Sequence, residues 1–338
     1  MTRTILQERL LNIVKRCAQR RILVVGDAIA DQFVYGAISR VSREAPVFIL
    51  RHEQTETVPG GAANCAVNLA SLGAFVSLVG IAGTDTAGQA LLEKLKAAGV
   101  DCSGVIVSDG IQTTTKVRIL AGQLHSTRQQ VIRIDYDGTP LTDAGMLQKL
   151  RERASELARS SEAIVISDYN YGVANAEMAQ AMGDVAASQS IPVLVDSRFE
   201  LSRFRGFTSA TPNEDEVEHL PGYDSSAFAS LEAAGENLRE SLGYRALLIT
   251  RGGHGMVLLE SGVDPLHIAA VGASEPVDVT GAGDTVMATY SLALAAGASF
   301  SDAAHLANHA GGIVVMKRGT AAVTPTELEH SIVHSEPG

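Results

Sequence analysis

The chain has 338 residues, of which 46% are hydrophobic and 19% charged, a composition that suits a large ordered α/β core and excludes a disordered protein. Its formal net charge of −11 argues against nucleic acid or an anionic membrane as main partner, because both need a basic face. An anionic substrate must then be met by local positive groups or by a cation. Cys17, Cys65 and Cys102 are scattered without metal-ligand spacing and fit small buried residues in a reducing cytoplasm.

Residues 1–21 carry Leu6, Leu10, Leu11, Ile13 and Val14 among Glu8, Arg9, Lys15 and Arg16. That pattern predicts an amphipathic surface helix, too charged for a signal peptide and too broken to span a bilayer, so a cytoplasmic location is expected. Ile22-Leu23-Val24-Val25 is a continuous apolar run ended by Gly26-Asp27, as expected of a strand buried on both faces. Ala163–Ile166, Val193–Val195 and Ala246–Ile249 match it, and helical patterns lie at 146–160, 176–188 and 228–242. Such alternation predicts a mainly parallel sheet between helical layers, with ligands beyond the carboxyl ends of the strands. Asp27, Asp168, Asp196 and Arg251 all fall there.

Two segments break the rhythm, at about 32–57 and 113–136. The second alternates polar and apolar residues as half-exposed antiparallel strands do, through Thr115–Leu120 and Val131–Asp135, and the first does so more weakly. Four such strands predict a small inserted sheet covering the active edge as a lid. Its other face is left to pack on a second copy of the chain, so a homodimer through the lid sheets is expected. With no repeat or linker, residues 1–338 read as one domain.

Three turns invite chemistry. Gly60-Gly61-Ala62-Ala63-Asn64 starts a helix that runs to about Leu72, and two glycines permit close backbone approach to a ligand. Asn213-Glu214-Asp215-Glu216 opens another helix, and by itself reads as an ordinary N-cap with an acidic first turn. Asp278-Val279-Thr280-Gly281-Ala282-Gly283-Asp284-Thr285 precedes a long apolar run. Glycines before a helix leave backbone N–H groups that hold anions, and Asp284 falls in the first helical turn beside them. The residue either caps the helix or handles a proton while the N–H groups hold developing negative charge.

Taken in order, Asp31, Gly60 to Asn64, Asn213-x-x-Glu216, Thr250-Arg251-Gly252 and Thr280 to Asp284 resemble the ribokinase-type (PfkB) carbohydrate kinases, from about Arg21 to about Glu329. Within that family the chain is most similar to the kinase half of the bacterial D-glycero-β-D-manno-heptose 7-phosphate kinases/adenylyltransferases. The carrying stretches are Val25-Gly26-Asp27, Ser39 to Val47, Thr115 to Leu120, Ile132-Arg133-Ile134-Asp135 and Ser167-Asp168-Tyr169. The nucleotidyltransferase half is expected to be absent. The resemblance implies a ribokinase-like three-layer α/β/α fold and transfer of the ATP γ-phosphoryl group to a sugar hydroxyl. It implies Asp284 as the base, and Gly281, Ala282 and Gly283 as the anion hole. It gives Asp31, Gly60, Gly61 and Asn64 to the sugar, with Asp168 beside them. Asn213 and Glu216 would organise Mg²⁺ through water. Thr250, Gly252, Gly255 and Asn308 would meet the nucleotide, and Asp278 and Thr280 a monovalent cation such as K⁺.

The chain also departs from those kinases. Their Ala-Lys-Gly after Ser-Asp-Tyr is here Asn170-Tyr171-Gly172, and their Asp-Pro-Lys-Gly is here Asp196-Ser197-Arg198-Phe199. Arg198 can hold a phosphate more rigidly than lysine does, whereas Tyr171 offers only a hydroxyl. Lys116, Arg118 and Arg133 stand as candidates for a substrate anion, against a reading as solvated lid charges. Heptose 7-phosphate and another sugar, sugar phosphate or sugar acid both stay open as substrates. A non-catalytic sugar-binding protein is a weaker alternative. A nicotinamide dehydrogenase is weaker still, because Gly26 stands alone after the first strand, where the dinucleotide fingerprint needs three glycines.

Overall fold

The computed structural model describes residues 4–122, 128–138, 140–220, 228–272 and 275–335. Helix α1 (Ile5–Cys17) leads into β1 (Arg21–Gly26), the long strands β2 (Ala28–Val41) and β3 (Phe48–Gly61), and α2 (Ala62–Ser71). Then come β4 (Phe75–Gly83), α3 (Thr86–Ala97), β5 (Asp101–Ser108), β6 (Thr115–Gly122), β7 (Gln129–Tyr136) and α4 (Ala144–Ala158). The middle of the chain forms β8 (Ala163–Asp168), α5 (Ala176–Gln189), β9 (Val193–Ser197), β10 (Ser209–Ala210), α6 (Glu214–Glu218) and α7 (Leu231–Leu242). Strands β11 (Ala246–Thr250), β12 (Met256–Glu260) and β13 (Leu266–Ile268) precede α8 (Ala282–Ala295), α9 (Phe300–Val314) and α10 (Pro325–His334).

Nine strands form the main sheet in the order β13-β12-β11-β10-β9-β8-β1-β4-β5. All neighbours pair parallel except β11–β12 and β12–β13. The continuous apolar runs are explained by the two cores. Ile22 and Val24 of β1 enter the core under α1, α2, α8 and α9, while Leu23 and Val25 enter the core under α4, α5 and α7. Val165 and Ile166 of β8 divide in the same way. This is the expected ribokinase-like α/β/α arrangement. Asp168 ends β8, Asp196 is the last residue but one of β9, and Asp27 and Arg251 directly follow β1 and β11, all at one edge of the sheet.

The second sheet has four strands in the order β3-β2-β6-β7. Its strands are longer than the sequence pattern indicates, because β2 and β3 stay paired from Val41↔Phe48 down to Ala28↔Gly61. Gly60 and Gly61 therefore end a lid strand before they start α2. The sequence reading missed β4, β5, β10 and the β12–β13 hairpin. Serine and glycines break up the apolar run of β4, and β10 is two residues long.

Candidate active site

Gly281 is the N-cap of α8 and holds φ +75°, a left-handed conformation that suits glycine. A Cβ there would lie 2.5 Å from Asn64 Nδ2. Beside Gly283, by contrast, a Cβ would meet nothing within 4 Å, so the turn is open to a ligand. The Ala282 N–H is spent on the Val279 carbonyl at 3.2 Å; those of Gly283 and Asp284 point from the first turn with no acceptor among the described residues.

Asp284 is only 4% exposed. Its Oδ2 accepts from Asn64 Nδ2 at 2.8 Å and its Oδ1 from the Tyr169 hydroxyl at 2.9 Å. Burial pushes the carboxyl up to about 6, the two donors pull against that, Asp31 adds repulsion and Arg198 opposes it. Asn64 is itself oriented from behind: Asn68, one turn along α2, donates to Asn64 Oδ1 at 3.1 Å and accepts from Thr285 Oγ1 at 3.1 Å. Asn68 and Tyr169 were not among the expected site residues. The signal for Asn68 was its i+4 spacing from Asn64 on an otherwise apolar helix face.

The lid brings charge to this edge. Register pairs Asp31 with Lys116 and Phe33 with Arg118 across β2 and β6. It also pairs Lys116 with Asp135 and Arg118 with Arg133 across β6 and β7, so all face the same side. Arg118 ion-pairs with the buried Asp31. Burial raises Asp31, and Arg118, Lys116 and Arg133 counter it. Lys116 Nζ lies 3.3 Å from Asp135 and 3.7 Å from Asp137, and Arg133 is bound to Asp135 at 2.8 Å with its side chain 47% exposed. Tyr171, in place of the lysine, donates to Asp137 and receives Lys116 Nζ at 3.3 Å. Gly60 lies beneath Asp31, where a Cβ would come within 2.5 Å of Oδ2.

Arg198 is exposed, with its guanidinium 5.2 Å from the centre of the Tyr169 ring and no side-chain hydrogen bond or ion pair among the described residues. Asp168 is committed locally: it accepts from Ser197 Oγ at 2.8 Å and from the Asn170 N–H at 3.0 Å, with Arg203 at 3.7 Å. Asn213 and Glu216 cap α6 reciprocally, at 2.7 and 2.9 Å. Glu216 still faces Asp196, and burial together with neighbouring carboxylates raises both. Asp278 accepts from the N–H groups of Thr280 and Gly319, both at 2.9 Å. A pocket of about 200 Å³ is lined by Thr250, Gly252, Gly255 and Asn308 and also by Ala282 and Gly283. The candidate nucleotide residues thus share one cavity with the open turn.

The sequence profile of the pfkB family of carbohydrate kinases matches residues 19–327. The chain belongs to that family. This pfkB family member is 43% identical over 318 residues to the bifunctional protein HldE of Pseudomonas aeruginosa (strain UCBPP-PA14), covering 94% of this chain and 64% of that protein. It is 39% identical over 320 residues to HldE of Magnetococcus marinus, with 93% and 64% covered. The chain thus spans 64% of the length of these relatives. Among solved structures, Escherichia coli phosphofructokinase-2 in complex with potassium superposes with a TM-score of 0.76 at 19% identity, over 94% of this chain and 99% of that one. Arabidopsis thaliana ribokinase with ribose and ATP gives a TM-score of 0.70 at 21% identity, over 94% and 100%. At those identities the likeness concerns the fold.

Proposed function

We propose that this carbohydrate kinase transfers the γ-phosphoryl group of ATP to a hydroxyl of D-glycero-β-D-manno-heptose 7-phosphate. One observation carries the reading: a buried carboxylate, Asp284, is fixed by two donors beside open backbone N–H groups, at a turn that also lines the nucleotide pocket. In this mechanism Asp284 accepts the proton of the attacking hydroxyl, with Asp31 and Asn64 orienting the sugar. The Gly283 and Asp284 N–H groups donate to the oxygens of the moving phosphoryl group as charge develops. Adenine and ribose occupy the cavity of Thr250, Gly252, Gly255 and Asn308.

The side-chain oxygens of Asp196, Asn213 and Glu216 suit a hard cation, and burial, with neighbouring carboxylates adding to it, raises both acids, so they fit Mg²⁺ held through water. When bound, Mg²⁺ neutralises phosphate charge. Asp278 and Thr280 are assigned to a monovalent cation on the basis of the family pattern.

Lys116, Arg118 and Arg133 on one face of the lid, with Arg198, which has no ion-pair partner among the described residues, supply the positive charge that a sugar phosphate needs. A second reading, a kinase for another sugar or sugar acid, is favoured by Tyr171 and by the carboxylates that already hold Lys116 and Arg133. The test is ADP release across a panel of heptose 7-phosphate, hexoses, pentoses and sugar acids. Turnover preferring heptose 7-phosphate is expected, and a preference for an unphosphorylated sugar selects the second reading. Asp284→Asn is expected to lower kcat by about 10²- to 10⁴-fold in a folded protein; near-normal turnover refutes the assigned role.

A further inference from the structure

Tyr169 connects three parts of the site. Its hydroxyl donates to Asp284 Oδ1 at 2.9 Å. Its loop is pinned from the end of β1: Asp27 accepts from the N–H groups of Tyr169, Tyr171 and Val173 at 2.9, 3.1 and 3.3 Å. Its ring is held on two sides. The Arg198 guanidinium lies 5.2 Å from the ring centre, and a Cβ on Gly61 would come 3.2 Å from Tyr169 Cε2. Gly61 holds φ +56°, so the space for the ring and the conformation of the turn both depend on that glycine.

We infer that Tyr169 is a positioning residue, whose hydroxyl holds the Asp284 carboxylate ionised and prevents it from rotating when the sugar hydroxyl arrives. The inference rests on the reading of Asp284 as the base. Each carboxylate oxygen takes one protein donor, Asn64 on Oδ2 and Tyr169 on Oδ1, and each keeps a lone pair free. With Asn64 alone the group has one anchor and is free to turn about it. The charged and titratable groups around Asp284 are Asp31 on β2, Cys65 on α2, and Asp196 and Arg198 at the end of β9. Arg198 alone is positive, and it lies over the Tyr169 ring. Among the described residues Tyr169 is the only hydroxyl donor to this carboxylate, whose other charged neighbours are largely acidic.

The test is Tyr169→Phe in the full chain, with kcat measured from pH 5.5 to 9. A hydrogen bond to the ionised form lowers a carboxyl pKa, so its loss moves the acid limb of the profile up, by about 1 unit. Starting from about 6, that shift cuts turnover about fivefold at pH 6 and leaves it within about twofold at pH 9, with KM for ATP and sugar little changed. A loss of the same size at every pH, or an unmoved acid limb, overturns the inference. Ring-fluorinated tyrosine at 169 keeps the packing and donates more strongly, so it should move the limb down; this arm decides the matter if Tyr169→Phe folds poorly. Asp284→Asn separates the two claims. If it is inactive while the Tyr169 variants leave the limb in place, only the positioning role fails. If it stays active, the assignment of the base fails instead.

Discussion

A carboxyl as deeply buried as that of Asp284 has a consequence for stability. Asp284 ionises at about 6 in the folded chain against 3.8 ordinarily, and Asp27, capping the Tyr169 loop, is likewise pushed up to about 6 by burial. A raised carboxyl binds its proton more tightly in the native state than in the unfolded one. Its favourable contribution is therefore complete below about pH 4 and is lost as the pH rises through about 6. Two units correspond to about 3 kcal/mol per group at most. Asp284→Asn should abolish one such loss, so its melting temperature should gain on the parent as the pH goes from 4 to 7. Calorimetry across that range checks it, and a constant offset between the two proteins contradicts it. Glycine-marked turns singled out Asp284 and Asn64 in the sequence, whereas Asp31 was reached only through the family resemblance. Tyr169 was not legible there, since a tyrosine after a strand looks the same whether its hydroxyl meets solvent or a carboxylate. The role of Asp27 was hidden for the same reason: three amide donors 142 to 146 residues away are set by the strand order.

Helices α2 and α8 cross at the site and carry its two central side chains, and a polar thread through Asn68 fixes their relative position. Asn68 Nδ2 donates to the Asn64 carbonyl and to Asn64 Oδ1, both at 3.1 Å, while Thr285 Oγ1 donates to Asn68 Oδ1. Asn68 is fully buried, so removing its amide leaves these groups without a full set of partners. Asn68→Ala is expected to cost about 2 kcal/mol in denaturant unfolding and to lower kcat about tenfold by loosening Asn64. Unchanged kcat in a destabilised protein would show that the thread serves folding only. Gly281→Ala strains the same junction from the other helix, through its positive φ and the approach to Asn64 Nδ2, and should lose activity further. Elements with a clean period were read correctly: the α1 stripe, the β1 and β8 runs and the alternation of β6 and β7. Strand β4 was not, because Ser77 and Gly80 interrupt its run, and Gly80 lies where a Cβ would come 2.9 Å from the Gly26 carbonyl of the neighbouring strand.

The lid sheet has two faces with different duties, and the pairing register assigns each residue to one of them. Asp31, Lys116, Arg118, Arg133 and Asp135 share one face, from which Asp31 acts on Asp284. Alternation puts Ile132, Ile134 and Tyr136 on the opposite face, opposite Ile119, Val117 and Thr115. Ile132 is 52% exposed, Ile134 39% and Tyr136 47%, an apolar row on an edge strand that a lone chain in water would leave uncovered. A second copy presenting the same row would cover both, and burying an isoleucine stabilises by about 1.5–3 kcal/mol. The chain is therefore expected to sediment as a dimer at micromolar concentration. Ile132→Lys combined with Ile134→Lys should give a folded monomer, since neither residue contributes to the two cores of the main sheet. Because β7 also carries Arg133 and Asp135 on its inner face, separating the copies should disturb the lid charges and raise KM for the sugar more than KM for ATP. Sedimentation velocity on both proteins, with KM for each substrate, tests the whole arrangement. A monomeric parent refutes the dimer, and a monomeric variant with unchanged KM for sugar confines the dimer to a stabilising role.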